Sequence, residues 1–167
     1  VYHDDLTGLP NRPLFLKRLS ECLLRAKTYD SQLAVFFIDL DHFKWVNDNL
    51  GHDVGDLLLI EVTRRLRQCV RDTDLVARLS GDEFTIILSQ VPKIQIAQSV
   101  AKRVVEILSR PFQLAGKKLT ISASVGIAIY PKDGNDIQTL LKHADVAMYH
   151  AKSSGRNNYQ FYEQCEI

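Results

Sequence analysis

Two short apolar runs, Leu75–Leu79 and Phe84–Leu88, stand apart by only Ser80-Gly81-Asp82-Glu83. A connection this short admits only an antiparallel hairpin with its turn in the Ser-Gly-Asp segment, because a parallel crossover needs about a dozen residues or more. Everything else in the chain must be arranged around that pair. Upstream, Leu33 to Ile38 is a short run rich in β-formers and reads as a buried strand ending at Asp39. Downstream, Ile121, Ala123, Val125, Ile127 and Ile129 alternate strictly, which predicts a strand with one buried face.

Helical stripes fill the gaps. Residues 13–27 place Phe15, Leu16, Leu19, Leu23 and Ala26 on one face, with Pro13 suited to a first turn. A polar stretch to Gly55 precedes a helix to about Val70, carrying Leu59, Val62, Leu66 and Cys69. Residues 94–108 carry Ala97, Val100, Ala101, Val104 and Leu108 and stop before Pro111. A last helix, about 136–152, turns Ile137, Leu140, Leu141, Ala144, Met148 and Ala151 inward, with Gly155 beyond its end. A terminal strand runs through Tyr159 and Phe161. The central order is β-α-β-β-α-β, the ferredoxin-like split unit, an antiparallel sheet with helices on one side. That topology serves many functions and decides none.

The 167 residues suit one domain, residues 1–167, without internal repeats. Formal net charge is +1, so no global field draws nucleic acid or anionic lipid, and a polyanionic ligand must be held by a few local cations. No apolar run is long enough to span a bilayer and no secretory signal opens the chain. Cys22, Cys69 and Cys165 form no CxxC pair, which favours reduced thiols in a cytoplasmic domain. The chain begins without a methionine, as expected of a piece of a longer protein.

The acids are placed suggestively. Asp39 ends a buried strand and Asp82 and Glu83 sit at the hairpin tip, so a ferredoxin-like sheet can bring them together. Converging carboxylates at strand ends suit a hard cation such as magnesium, which in turn holds phosphates. Equally open is a plain reading in which Asp39 caps the next helix and Asp82 makes the turn.

Four blocks carry a resemblance. They are Asp5-Leu6-Thr7-Gly8-Leu9-Pro10-Asn11-Arg12; Phe37 to Lys44 with Asn47-Asp48 and Gly51-His52-Asp53-Val54-Gly55-Asp56; Arg78 to Phe84; and Ala144 to Tyr149 with Lys152 and Gly155-Arg156-Asn157. In order and spacing they resemble GGDEF domains over essentially the whole chain. The resemblance implies an α+β ferredoxin-like palm, similar to that of nucleotide cyclases and polymerases, with an antiparallel sheet and helices on both sides. It implies a diguanylate cyclase that condenses two GTP into cyclic di-GMP, as a homodimer, with magnesium or alternatively manganese. Asp39, the Leu40 carbonyl and Asp82 would hold the metal, Asp82 would also take the proton of the attacking 3′-hydroxyl, and Glu83 would support it. Asn47 and Asp56 would read the guanine edge, with His52 in the same block. Lys44, Lys152 and Arg156 would neutralise the triphosphate.

Arg71-Asp72-Thr73-Asp74 matches the family's RxxD inhibitory site for the product, which implies roles for Arg71 and Asp74. One departure stands out. Ser80 replaces the first glycine of the naming motif, and a need for positive φ or for empty space there would strain the turn or crowd the nucleotide. The other reading is therefore a regulatory module that binds GTP or cyclic di-GMP and controls a companion sensor or EAL-type phosphodiesterase domain, in a parent chain with room for a membrane anchor. An ATP-specific class III cyclase is disfavoured by Asn47, Asp56 and the hairpin. No nucleic-acid partner is expected.

Overall fold

The computed structural model describes residues 1–165. Helix α1 (Arg12–Tyr29) begins where the Asn11 side chain accepts from the Leu14 N–H at 3.3 Å, with proline in the first turn. It stops at Asp30, which turns left-handed at φ 51°. Strand β1 (Leu33–Asp41) follows and is buried along its whole length. It continues two residues beyond the expected end at Asp39, because Asp41 still pairs with Ser122.

The stretch expected to be polar coil up to Gly55 is instead helical. It forms α2 (Phe43–Leu50) and the start of α3 (His52–Arg67). Phe43, Val46 and Leu50 give α2 two turns of apolar stripe, too few to stand out among its polar neighbours. Gly51, at φ 93°, separates the two helices.

The hairpin forms as expected from β2 (Leu75–Ser80) and β3 (Glu83–Leu88). Helix α4 (Ile94–Ser109) leads to a small hairpin the sequence did not announce, β4 (Phe112–Leu114) and β5 (Lys117–Leu119). Its turn uses Ala115 and Gly116, both at positive φ, an alanine that no composition rule flags. Strand β6 (Ser122–Tyr130), α5 (Ile137–Ser153) and β7 (Asn158–Phe161) complete the main body.

The main sheet runs β2-β3-β1-β6-β7. Strand β1 lies antiparallel to β3 on one side and to β6 on the other, whereas β7 pairs parallel to β6. The sheet is therefore antiparallel except at that edge, where α5 makes the crossover a parallel pair requires. Ala34, Phe36, Ile38 and Leu40 face the core shared with α3 and α4, while Leu33, Val35 and Phe37 face α1 and α5. Helices cover both sides, and each fully buried Leu or Phe in the two layers contributes roughly 1.5–3 kcal/mol.

Strand β6 corrects a second expectation. It is buried on both faces, not one. The residues between the alternating aliphatics are small, and Gly126 shows why: a Cβ there would lie 2.1 Å from the Met148 backbone nitrogen. Its bare backbone lets α5 pack directly on the sheet. Among the described residues no helix is long and apolar enough to cross a membrane.

Candidate active site

Strand alternation puts Asp39 and Asp41 on the α1/α5 face of β1, at the end where the hairpin turn lies. Asp39 stands directly opposite Glu83 across the β1–β3 pair. Asp82 sits in the two-residue turn between Ser80 and Glu83, and its carbonyl accepts the Leu40 N–H at 3.3 Å. That bond clamps the turn over the end of β1. Asp39 is 9% exposed, Asp82 and Glu83 are half-buried, and the three carboxylates crowd one another.

The electrostatics report the crowding. Burial pushes the Asp82 carboxyl up to about 6, aided by the Asp39 charge and a hydrogen bond shared with it. Glu83 is raised as well, first by burial and then by Asp39 and Asp145. Lys152, in the last turn of α5, touches the Asp39 carboxylate. Burial works against its ammonium, yet the contact with Asp39 and the charge of Asp82 leave its pKa raised. Asp39 therefore does not cap the next helix; His42 occupies the N-cap position of α2, and no side chain caps it.

Among the described residues no group of three or more His, Cys, Asp or Glu side chains could hold a metal by itself. Magnesium does not require one, since it is held through one or two carboxylates together with substrate phosphates. Asp82, its carboxyl raised by burial and by the neighbouring Asp39 charge, together with Asp39 beside a lysine, fits that mode of binding.

A second group forms where α2 meets α3. The Asn47 side chain packs on Gly55, where a Cβ would fall 1.9 Å from its Oδ1. Gly55 thus leaves room for the Asn47 side chain, and Asp56, the next residue in α3, is exposed. Lys44 and His52 are exposed on the same two helices.

The sequence model of the family described as "Diguanylate cyclase, GGDEF domain" matches residues 1–158. The chain belongs to the GGDEF family. It is 49% identical over 161 residues to the bifunctional diguanylate cyclase/cyclic di-GMP phosphodiesterase MucR of Pseudomonas aeruginosa, covering 96% of this chain and 23% of MucR. The solved structure of the GGDEF domain of TpbB from the same species superposes with a TM-score of 0.94 at 42% identity, covering 96% of this chain and 94% of that one. The GGDEF domain of DgcB from Caulobacter crescentus, solved in complex with c-di-GMP, gives 0.87 at 28% identity, covering 98% and 96%.

Within this GGDEF fold the Arg71 loop lies between α3 and β2. Arg71 donates to Asp74 through Nε at 3.1 Å and Nη2 at 3.0 Å, and its own N–H donates to Asp74 Oδ2 at 2.9 Å. Asp74 also accepts the Ser89 N–H at 3.2 Å, and its side chain is 1% exposed. A cavity of about 510 Å³ opens beside the pair, with Lys93 and Arg103 adding cations to its wall.

Ser80 is exposed, ends β2 in pairing with Glu83, and lies outside the left-handed region. The positive φ of the turn belongs to Gly81, at 43°. The conformational strain expected of a serine here is absent.

Two features escaped the sequence reading of site residues. Arg78 donates from Nη1 to both Asp4 oxygens at 3.0 and 3.1 Å and from Nε to the Gly81 carbonyl at 2.9 Å. It ties the opening motif to the hairpin turn, and Asp4 also accepts the Thr7 N–H and hydroxyl. Asp41 is the other, a buried carboxylate with Arg156 Nε 3.9 Å away. Both lie inside the blocks that carry the resemblance, but only three-dimensional partners distinguish them from their neighbours.

Proposed function

We propose that this GGDEF domain binds GTP with magnesium and condenses two GTP molecules into cyclic di-GMP, releasing two pyrophosphates. The reading is carried by the convergence of Asp39 and Asp82 beside Lys152, a site with more negative charge than its own cations balance. Bound magnesium, held by Asp39, the Leu40 carbonyl and Asp82, supplies charge neutralisation for the phosphates and the leaving pyrophosphate. Asp82 takes the proton of the 3′-hydroxyl that attacks the α-phosphate of the other GTP, and Glu83 supports it. Lys44, Lys152 and Arg156 face the triphosphate. Asn47 and Asp56 read guanine, Asp56 accepting from N1–H and the amino group, with His52 alongside; adenine would leave these groups mispaired. Each domain carries one GTP, so two copies must face each other during catalysis.

Product feedback through Arg71 and Asp74 belongs to the same reading, supported by the added cations of the neighbouring cavity. The chain spans 20–38% of the length of its first curated relatives, some named as cyclases and one as the cyclic di-GMP phosphodiesterase NbdA. That spread favours a second reading, a regulatory module attached to another catalytic domain. The two are separated by incubating artificially dimerised protein with GTP and magnesium and chromatographing the products. Cyclic di-GMP supports the cyclase; GTP binding without synthesis overturns it in favour of the module.

A further inference from the structure

Asp41 carries a buried charge that the proposed chemistry does not use. It is 2% exposed and accepts from Ser122 Oγ at 2.6 Å, Ser124 Oγ at 2.7 Å and the Asn157 N–H at 3.1 Å. The serines come from neighbouring β6, and hydroxyls could satisfy a neutral side chain equally well. The third bond is different, because it leaves the sheet for the turn between α5 and β7.

That turn is strained. Gly155, Arg156 and Asn157 follow one another at φ 107°, 62° and 50°. Non-glycine residues hold such angles only where their surroundings over-determine them. Here the Arg156 N–H is held by the Ala151 carbonyl at 3.1 Å and the Asn157 N–H by Asp41. The turn carries the Arg156 guanidinium, whose Nε stands 3.9 Å from Asp41 Oδ1 while the side chain remains 49% exposed. Two residues back on the same face, Asp39 touches Lys152, and the charges of Lys152 and Arg156 are close enough to act on each other.

We propose that Asp41 is a positioning residue for the phosphate-binding cations, its buried carboxylate holding the left-handed turn so that Arg156 stands beside Lys152. This role rests on the proposed binding of GTP.

A double-mutant cycle tests it. A non-hydrolysable GTP analogue with magnesium is titrated into the wild type, Asp41→Asn, Arg156→Ala and the double variant, with circular dichroism confirming the fold. Asp41→Asn is expected to weaken the analogue about tenfold, and the double variant should bind no worse than Arg156→Ala alone. GMP, lacking the outer phosphates, should lose less than about twofold in the aspartate variant. A folded Asp41→Asn protein with wild-type affinity, or additive losses in the cycle, overturns the role. A wild type that binds no analogue overturns the GTP reading itself, and this role with it. Should Asp41→Asn fail to fold, Ser122→Ala removes one anchor of the carboxylate at a half-buried site. It is expected to weaken the analogue about two- to threefold in the otherwise wild-type protein and not at all in the Arg156→Ala background; wild-type affinity in the single variant, or the same loss in both backgrounds, overturns the proposal.

Discussion

The hairpin tip and the Arg71 loop both present acids, and they treat them in opposite ways. At the tip, Asp39, Asp82 and Glu83 gather around a single touching cation, and Asp82 and Glu83 are pushed upward in pKa. In the loop, one carboxylate meets one guanidinium through two side-chain bonds and takes two backbone N–H groups as well. The loop is stable as folded. The tip opposes folding at neutral pH, and a fold keeps such a conflict where something outside the chain resolves it. Unbalanced charge is thus the sharper pointer to a ligand, and a satisfied pair is compatible with either architecture or binding.

The widest gap between the regions should appear on removing charge. Asp39→Asn or Asp82→Asn is expected to lower cyclic di-GMP synthesis roughly a hundredfold or more, because metal-assisted charge stabilisation is worth several kcal/mol and about 1.4 kcal/mol is tenfold in rate. The double variant should be little worse than either single one, as for residues that act together. Asp82→Asn should also stabilise the magnesium-free protein at pH 7 by on the order of 1 kcal/mol, since it removes a crowded charge. Denaturant titration showing a clear loss of stability would mean that the acids are structural.

Base recognition should respond next most strongly. Asp56 offers a charged acceptor, so Asp56→Ala is expected to cost about 1.5–3 kcal/mol of GTP binding and Asn47→Ala about 0.5–1.5 kcal/mol. Both should narrow the preference over ATP in calorimetric titration. Unchanged GTP affinity in both variants would remove α2 and α3 from the site.

The acidic tip also predicts a pH signature. Between pH 4 and 6 the folded chain keeps a proton on Asp82, whose carboxyl is raised to about 6, that an unfolded aspartate near 3.8 has released. Stability contributed by this group is therefore lost as pH rises through that window. Magnesium should offset the loss by binding the ionised pair. Melting temperature followed against pH, with and without magnesium, checks both signs; a rise through the window attributable to Asp82, absent in Asp82→Asn, would contradict the crowding.

The loop should give way more gently. Arg71→Ala removes a half-exposed partner, but Asp74 retains two backbone N–H bonds, so the stability cost should stay below about 1 kcal/mol. Cyclic di-GMP binding beyond the substrate sites should disappear, with GTP affinity nearly unchanged. Product inhibition persisting in this variant would leave the Arg71–Asp74 pair as a structural closure only.

Much of this was legible in the chain. The hairpin, β1, α1, α4 and α5 all carried either an uninterrupted apolar run or a helical stripe of several turns. Helix α2 did not, because two turns with only Phe43, Val46 and Leu50 on the inward stripe resemble a polar loop, yet it carries Lys44 and Asn47. The two-sided burial of β6 was hidden because Ser122, Ser124 and Gly126 read as an exposed face, when their small size serves close packing and the anchoring of Asp41. The acids could be named from their positions. Their mutual repulsion, and the partners of Asp41 and Arg78, depend on distances across strands that no local pattern encodes.

The smallest effect is expected at Ser80, the one departure from the naming motif. A glycine there would matter if the position needed positive φ, but Ser80 closes a strand outside the left-handed region and is exposed. The φ of 43° falls on Gly81, where a side chain would meet nothing within 4 Å and would suffer only conformationally. Ser80→Gly should therefore change synthesis by less than about threefold and, by loosening the unfolded chain, lower stability by about 0.5–1 kcal/mol. Gly81→Ala should do more, since a left-handed non-glycine residue costs roughly 1–2 kcal/mol and would tilt the turn that carries Asp82. Rates and melting curves of the two variants, compared side by side, decide the matter. If Ser80→Gly instead awakened synthesis in a silent wild type, serine would be crowding the nucleotide, and the hairpin would be a cyclase site disabled by one hydroxymethyl group.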